Sequence, residues 1–298
     1  MRWAGIFPSI PTAFRADGKV DVAAQRRLAR FGVDHGAHGI ICFGLAGEVG
    51  RLAPDERLEL CNAIVEEVGG AVPVVVGVTG ESEWTSVRLA KHAELSGASG
   101  VVIPPPAGVA SEKVLRAFIE RVASTVSIPV MIQDAPEYLG VRLGPALVKE
   151  LRQRVPQISY VKVEEGPDGV AEWVAQLGRE TQIFAGNGGV YTLDCLRAGA
   201  AGIAPGLELV DVFAEIYESE RAGKHQDAER LFRDALPLAV FEMQNIDHFN
   251  ACAKHILLKR GVEIGASLRP PAEDLNAHAL SLLDSYLDAL NLRAPAMA

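Results

Sequence analysis

The chain has no Cys-x-x-Cys pair and no His/Cys cluster at zinc spacing. Its four cysteines, Cys42, Cys61, Cys195 and Cys252, are scattered. That argues against a disulfide framework or a structural metal, and for free buried thiols in a reducing cytosol. Basic excess is also lacking. A formal net charge of −9 leaves no cationic stripe for nucleic acid, although local basic sites for small anions stay open. No apolar run reaches the length of a membrane span. The opening MRWAGIFPSIP lacks a charged segment followed by a long apolar stretch, so neither a signal peptide nor a membrane partner is expected. These absences predict a cytoplasmic protein. A glycine phosphate loop is missing too. Ile10-Pro-Thr-Ala-Phe-Arg follows the first apolar run, which counts against an open, doubly wound sheet.

What is present is a regular alternation. The composition, 49% hydrophobic over 298 residues, suits a globular fold. Short Val- and Ile-rich runs fall at Gly5–Ile10, Gly39–Phe43, Val74–Val78, Gly100–Ile103, Val130–Ile132, Ser159–Val163, Thr181–Phe184 and Gly202–Ala204. Each is apolar on both faces, as a strand buried in a parallel sheet should be. Amphipathic stretches separate them: Val22–His35, Pro54–Val68, Glu83–Ser96, Glu112–Ser124, Pro145–Arg154, Gly169–Leu177 and Tyr191–Ala198. Pro54 and Pro145 suit first helical turns; Gly36, Gly97 and Gly199 suit helix ends. The phrases His35-Gly-Ala-His-Gly39, Ser96-Gly-Ala-Ser-Gly100 and Arg197-Ala-Gly-Ala-Ala-Gly202 each close a helix and open a strand. Their small residues let the connection pass tightly under a barrel. Eight such units predict a (β/α)8 TIM barrel over residues 1–223. After Gly206 the pattern is helical, at Leu209–Arg221, Lys224–Glu242, Asp247–Arg260 and Glu273–Leu290. Residues 224–298 are expected to pack on the barrel as a helical extension without independence.

In a barrel, chemistry sits at the C-terminal ends of the strands. The sixth strand there carries Lys162 between Val161 and Val163. A lysine in an apolar strand is costly unless paired or used. Partial desolvation favours a neutral amine, which attacks carbonyls. Residues i and i+2 share a strand face, so Glu164 should accompany Lys162 into the mouth and Glu165 should turn away. The pair is either a plain ion pair or an amine with its acid/base partner. Three other strand ends are polar or glycine-rich. In Cys42-Phe-Gly-Leu-Ala-Gly-Glu48 two glycines bracket Leu45 and Ala46, so backbone N–H groups can line a concave, carboxylate-binding loop; a plain turn reads equally well. Gln133 and Asp134 end the fifth strand, as site residues or as the polar start of a loop. Asn187 lies in Ala185-Gly-Asn-Gly-Gly189, as a ligand contact or a turn residue.

Together these positions resemble the dihydrodipicolinate synthase/N-acetylneuraminate lyase family of class I aldolases. The likeness runs from Gly5-Ile-Phe-Pro-Ser-Ile-Pro-Thr to the C-terminal helices. Gly44-Leu-Ala-Gly-Glu48 resembles the family's GTTGE loop, Lys162 its lysine strand, and Gln133-Asp-Ala-Pro136 its YNxP segment. The resemblance implies an imine between Lys162 and a 2-oxo acid, no other cofactor, and a homo-oligomer, a tetramer or dimer. The candidate catalytic positions are Lys162, Glu164 and Gln133. Substrate would touch Leu45, Ala46, Gly47, Asp134, Tyr138, Asn187 and Ile203.

The departures redirect the chemistry. Gln133 stands where the family has its proton-carrying tyrosine, and an amide cannot take that role. Leu45 and Ala46 replace two threonines, and Pro104-Pro-Pro-Ala107 replaces an aromatic pair. Tyr138 stands where the synthase has the arginine that clamps its second substrate. Lys162-Val163-Glu164 replaces the common Lys-Glu order, which resembles the branch that dehydrates 2-keto-3-deoxy sugar acids. The expected activity is therefore dehydration or retro-aldol cleavage of such an acid. Two other readings remain: the ordinary synthase or a pyruvate-dependent aldolase, with water or a partner subunit compensating for Gln133, and a barrel that binds a 2-oxo acid without turnover. His35, His38, His92, His225, His248, His255 and His278 lie away from the proposed strand ends, against a metal-dependent aldolase. The amide-rich stretch 241–250 either covers the mouth or forms a subunit contact.

Overall fold

The apolar runs and amphipathic stretches fold as alternating strands and helices in a computed structural model that describes residues 2–80, 82–109 and 111–292. β1 (Gly5–Ile6), α1 (Val22–Asp34), β2 (Ile40–Cys42), α2 (Pro54–Val68), β3 (Val74–Gly77), α3 (Glu83–Leu95), β4 (Gly100–Ile103) and α4 (Glu112–Ala123) form the first half. β5 (Val130–Asp134) leads through the short α5 (Pro136–Leu139) to α6 (Gly144–Arg154), then β6 (Ile158–Val163) and α7 (Pro167–Leu177). β7 (Gln182–Ala185), α8 (Thr192–Arg197), β8 (Gly202–Ile203) and α9 (Val210–Arg221) complete the eight units. All strand pairings are parallel, in the order β1-β8-β7-β6-β5-β4-β3-β2. The sheet edges meet where Ile41 N donates to Pro8 O and Ile10 N to Ile41 O, both at 2.9 Å. The result is the TIM barrel expected from the alternation.

β1 is shorter than expected because Pro8 has no N–H to extend the ladder, although Ser9 still bridges to Ile41 and Gly206. The last expected helix also starts later. Its N-cap is Asn276, whose side chain accepts from Ala279 N at 2.9 Å and fixes the start of the helix there.

The glycine phrases do two different jobs. Gly36, Gly97 and Gly199 have positive φ of 85°, 87° and 102°. Each ends its helix with the paired reverse bonds of a left-handed cap, as in Ala98 N to Ala93 O at 3.0 Å. The second glycines serve packing. A Cβ at Gly39 would lie 2.1 Å from the Phe7 ring, one at Gly100 2.3 Å from Trp3, and one at Gly202 2.5 Å from Phe184. These positions face inward and leave room for aromatics that plug the barrel. Trp3 stacks on Tyr160 with ring centroids 4.2 Å apart, and Trp3 N donates to the Tyr160 hydroxyl at 3.0 Å. Ile41, Val75, Val102, Met131 and Ala204 join this inner cluster.

Alternate strand residues face outward and pack under the helices. α10 (His225–Glu242), α11 (Ile246–Lys259) and α12 (Ala277–Ala289) follow the barrel. Cys252, Ile256 and Leu257 of α11 and Leu283 and Leu287 of α12 join the same buried cluster as the barrel's outer face. Residues 293–298 of the expected extension lie outside the described residues. All four cysteines are buried and free. Among the described residues, no helix is long and apolar enough to cross a membrane.

Candidate active site

The inward parity of each strand builds the site. In β6, Tyr160 faces the barrel interior, so Lys162 and then Glu164 rise on the same face toward the C-terminal mouth. In β5, Met131 faces inward and Gln133 sits above it, directly paired with Lys162. Above the aromatic plug these side chains line the floor and wall of a cavity. Lys162 and Glu164 are each 8% exposed. The Lys162 amine is bonded to Glu164 Oε1. Gln133 Nε2 donates to the same oxygen at 3.4 Å, and Asn187 N donates to Oε2 at 2.5 Å. Glu164 therefore has a cation, an amide and a backbone donor around it. Gly186, at the next inward position of β7, makes room for it: a Cβ there would lie 2.0 Å from Glu164 Oε2.

The expected binding residues divide into two groups. Leu45, Ala46 and Tyr138 line the cavity. Leu45 and Ala46 open a single helical turn, Leu45–Gly47, whose first N–H groups have no partner within the turn. Tyr138, on α5, has its phenol pushed up to about 12 by burial and by the charges of Glu164 and Glu137. It is therefore a neutral hydroxyl donor at ordinary pH.

Four of the expected binding residues stand off the cavity wall. Asp134 follows Gln133, so parity turns it outward. Its fully buried carboxylate accepts from Leu143 N at 3.1 Å and Gly144 N at 3.4 Å, fixing the start of α6, and burial pushes its pKa up. Ile203 likewise packs outward in the helix-facing core, and its neighbour Ala204 lines the cavity instead. Gly47 is occupied by its own turn: its N–H bonds Gly44 O at 3.0 Å and its carbonyl accepts from Thr12. Asn187 lies in an adjoining cleft with Arg142 and Glu165, and reaches the site only through its backbone N–H. Glu165 turns away from Lys162 and pairs with Arg142.

Several lining residues escaped the sequence reading. Ser9, Phe43, Thr79, Pro104 and Pro205 come from other strand ends, and the inward parity could have found the first two. Met243, Ile246 and Phe249 enclose the mouth from the end of α10 and from α11. The amide-rich stretch therefore covers the site. Its Asn245 caps α11 by accepting from His248 N at 2.9 Å, and its Asn250 donates to Leu45 O at 3.2 Å.

Comparison with known proteins gives the same outline. The sequence profile of the Dihydrodipicolinate synthetase family matches residues 2–290. An L-2-keto-3-deoxyarabonate dehydratase from Azospirillum brasilense is 31% identical, over 98% of this chain and 97% of its own length. A 4-hydroxy-tetrahydrodipicolinate synthase from Desulforamulus reducens is 28% identical, over 96% and 97% respectively. The crystal structure of YagE from Escherichia coli K12, a dihydrodipicolinic acid synthase family protein in complex with pyruvate, superposes with a TM-score of 0.92 at 25% identity. That match covers 98% of this chain and 100% of the other.

Proposed function

The chain belongs to the dihydrodipicolinate synthetase family, and on that premise we propose that it dehydrates a 2-keto-3-deoxy sugar acid through an imine on Lys162. It is a lyase, as the named relatives are. The observation that carries the substrate reading is the Lys162–Glu164 contact at the cavity floor, with an amide, Gln133, opposite the lysine.

The steps follow from that geometry. A proton passes from the Lys162 ammonium to the bonded carboxylate, which frees the amine to attack the C2 carbonyl. Loss of water leaves an iminium, and this cation acidifies the C3 hydrogens. Leu45 and Ala46 offer backbone N–H groups to the C1 carboxylate. Glu164, ionised again, removes a C3 proton and then delivers a proton to the C4 hydroxyl, which leaves as water. Hydrolysis of the imine releases the product and restores Lys162. One carboxylate thus does the work of the missing tyrosine, and the iminium formed on Lys162 is the electron sink, so no further cofactor enters. Tyr138 and the cleft at Asn187 are suited to the remaining hydroxyls. The protein acts in the cytoplasm as a homo-oligomer.

Retro-aldol cleavage is the second reading. It shares the imine, and the likeness to YagE, described as a putative 2-dehydro-3-deoxy-D-gluconate aldolase, favours it. Its base must reach the C4 hydroxyl proton instead of C3–H.

The test is incubation with 2-keto-3-deoxypentonates and pyruvate, with borohydride trapping. Trapped mass on Lys162 in the wild type, its absence in Lys162→Ala, and a Glu164→Gln variant that traps more slowly but still reaches the imine while losing dehydration are expected. Trapping that survives Lys162→Ala would sink the proposal. Release of pyruvate in place of a dehydrated product would select the aldolase.

A further inference from the structure

The loop that lines the cavity beside Lys162 is held in an unusual shape. Phe43 and Glu48, which bracket it, both have positive φ, 59° and 53°. Non-glycine residues keep such a conformation only where their surroundings hold it. Two side chains of α11 do so from about 200 residues away in sequence. Asn250 and Lys254 lie one turn apart on one helix face, and they are 1% and 0% exposed.

Lys254 pairs with Glu48 at the far end of the loop, with both side chains fully buried. Its other contacts are Ser267 O at 3.0 Å and the face of Phe14, 4.6 Å from the ring centroid. The second carboxylate oxygen of Glu48 accepts from Arg269 N at 3.1 Å and from Arg51 at 3.3 Å. Asn250 Nδ2 donates to Leu45 O at 3.2 Å, and Glu48 N donates to that same carbonyl at 3.1 Å. Both lone pairs of the Leu45 carbonyl are therefore engaged.

The Leu45 carbonyl and the Ala46 N–H belong to one planar peptide unit. Holding the oxygen sets the direction of the N–H on the opposite side, and two bonds to the oxygen polarise that N–H as a donor. Among the described residues, Asn250 Oδ1 has no hydrogen-bond partner. A buried amide with an orphan acceptor is an unfavourable filler, so its donor is what the position uses.

We propose that Asn250 and Lys254 are positioning residues: from α11 they set the peptide plane of Leu45–Ala46 so that Ala46 N–H meets the substrate's C1 carboxylate. The inference rests on the reading that this loop takes the carboxylate. It links the C-terminal helices to substrate recognition through specific bonds, alongside the wall that Phe249 supplies.

The test compares imine formation with pyruvate and with methyl pyruvate, its neutral ester, in the full-length protein by borohydride trapping. Asn250→Leu keeps the bulk and removes both the donor and the orphan acceptor, so it is expected to fold. It should raise the half-saturating pyruvate concentration about tenfold, the loss of one hydrogen bond. For methyl pyruvate the change should stay below about twofold. Asn250→Ser serves if the leucine variant does not fold. Glu48→Gln combined with Lys254→Met, which leaves no buried charge unpaired, should give the same selective loss. Equal shifts for acid and ester, or no shift for either, overturn the assignment of these residues. A wild-type protein that prefers pyruvate no more than its ester ends the carboxylate-loop reading itself, which is a separate failure seen before any variant is made.

Discussion

Gln133 and Lys162 are directly opposed across the β5–β6 ladder, and the Gln133 amide reaches Glu164 at 3.4 Å. The bond is long, so the closer partners of the carboxylate are Lys162 and the backbone N–H of Asn187. An amide at this position orients a neighbour but moves no proton. The position opposite the lysine thus has no acid/base capacity, and in the proposed mechanism Glu164, two residues along from the lysine, carries it.

The Lys162–Glu164 pair should behave as one unit in stability. Lys162→Met leaves Glu164 buried without its cation and is expected to cost about 3 kcal/mol. Adding Glu164→Gln should recover most of that loss. Urea denaturation of the two single variants and the double variant measures the coupling. Simple additivity would contradict a coupled pair.

Gly186→Ala tests the room made for Glu164. The new Cβ would fall 2.0 Å from the carboxylate, so Glu164 must move. Dehydration kcat should drop by at least about tenfold, since a misplaced acid/base group forfeits much of its 10²–10⁴-fold contribution. Imine trapping should persist. Equal loss of both would mean that the glycine serves the fold rather than the carboxylate.

Tyr138→Phe separates donation from titration. With its phenol pushed up to about 12, Tyr138 stays protonated through pH 10. The alkaline limb of kcat/KM below pH 10 should therefore be the same in wild type and variant, with the change confined to KM. A limb that disappears in Tyr138→Phe would show that the phenol ionises during turnover.

A second pair of acids predicts how stability depends on pH. Glu208, after β8, and Glu242, at the end of α10, are buried, and among the described residues none of their carboxyl oxygens has a hydrogen-bond partner. Burial pushes Glu208 up to about 7, and burial together with the Glu208 charge pushes Glu242 well up. Both folded values exceed the unfolded one, so the folded chain holds protons that the unfolded chain has released. Their contribution is present below about pH 4.5 and is lost as pH rises through 7 and beyond. The slope approaches about 1.4 kcal/mol per pH unit for each proton held. Glu242→Gln should flatten the melting temperature between pH 5 and 8 and raise it at pH 8. A variant less stable than wild type at pH 8 would refute this account.

The helix caps at Gly36, Gly97 and Gly199 and the shared face of Lys162 and Glu164 were legible because they depend on neighbours in sequence. The outward side chains of Asp134 and Ile203 follow from the same inward parity as Lys162 once it is carried across the strands. Gly39, Gly100 and Gly202 were legible as glycines but not in purpose, since the aromatics that need their space come from other strands.

The chain's local patterns determined the barrel, the end of it that carries the chemistry, and the lysine with its carboxylate, because strand periodicity and helix caps act over a few residues. Only the tertiary structure decided which side chains enclose the mouth. Met243 and Phe249 line one cavity with Leu45 and Lys162, and Asn250 bonds Leu45, because the sheet closes on itself and the C-terminal helices dock over its rim. Contacts at such sequence separation arise from the packing of whole elements, and no local pattern encodes them.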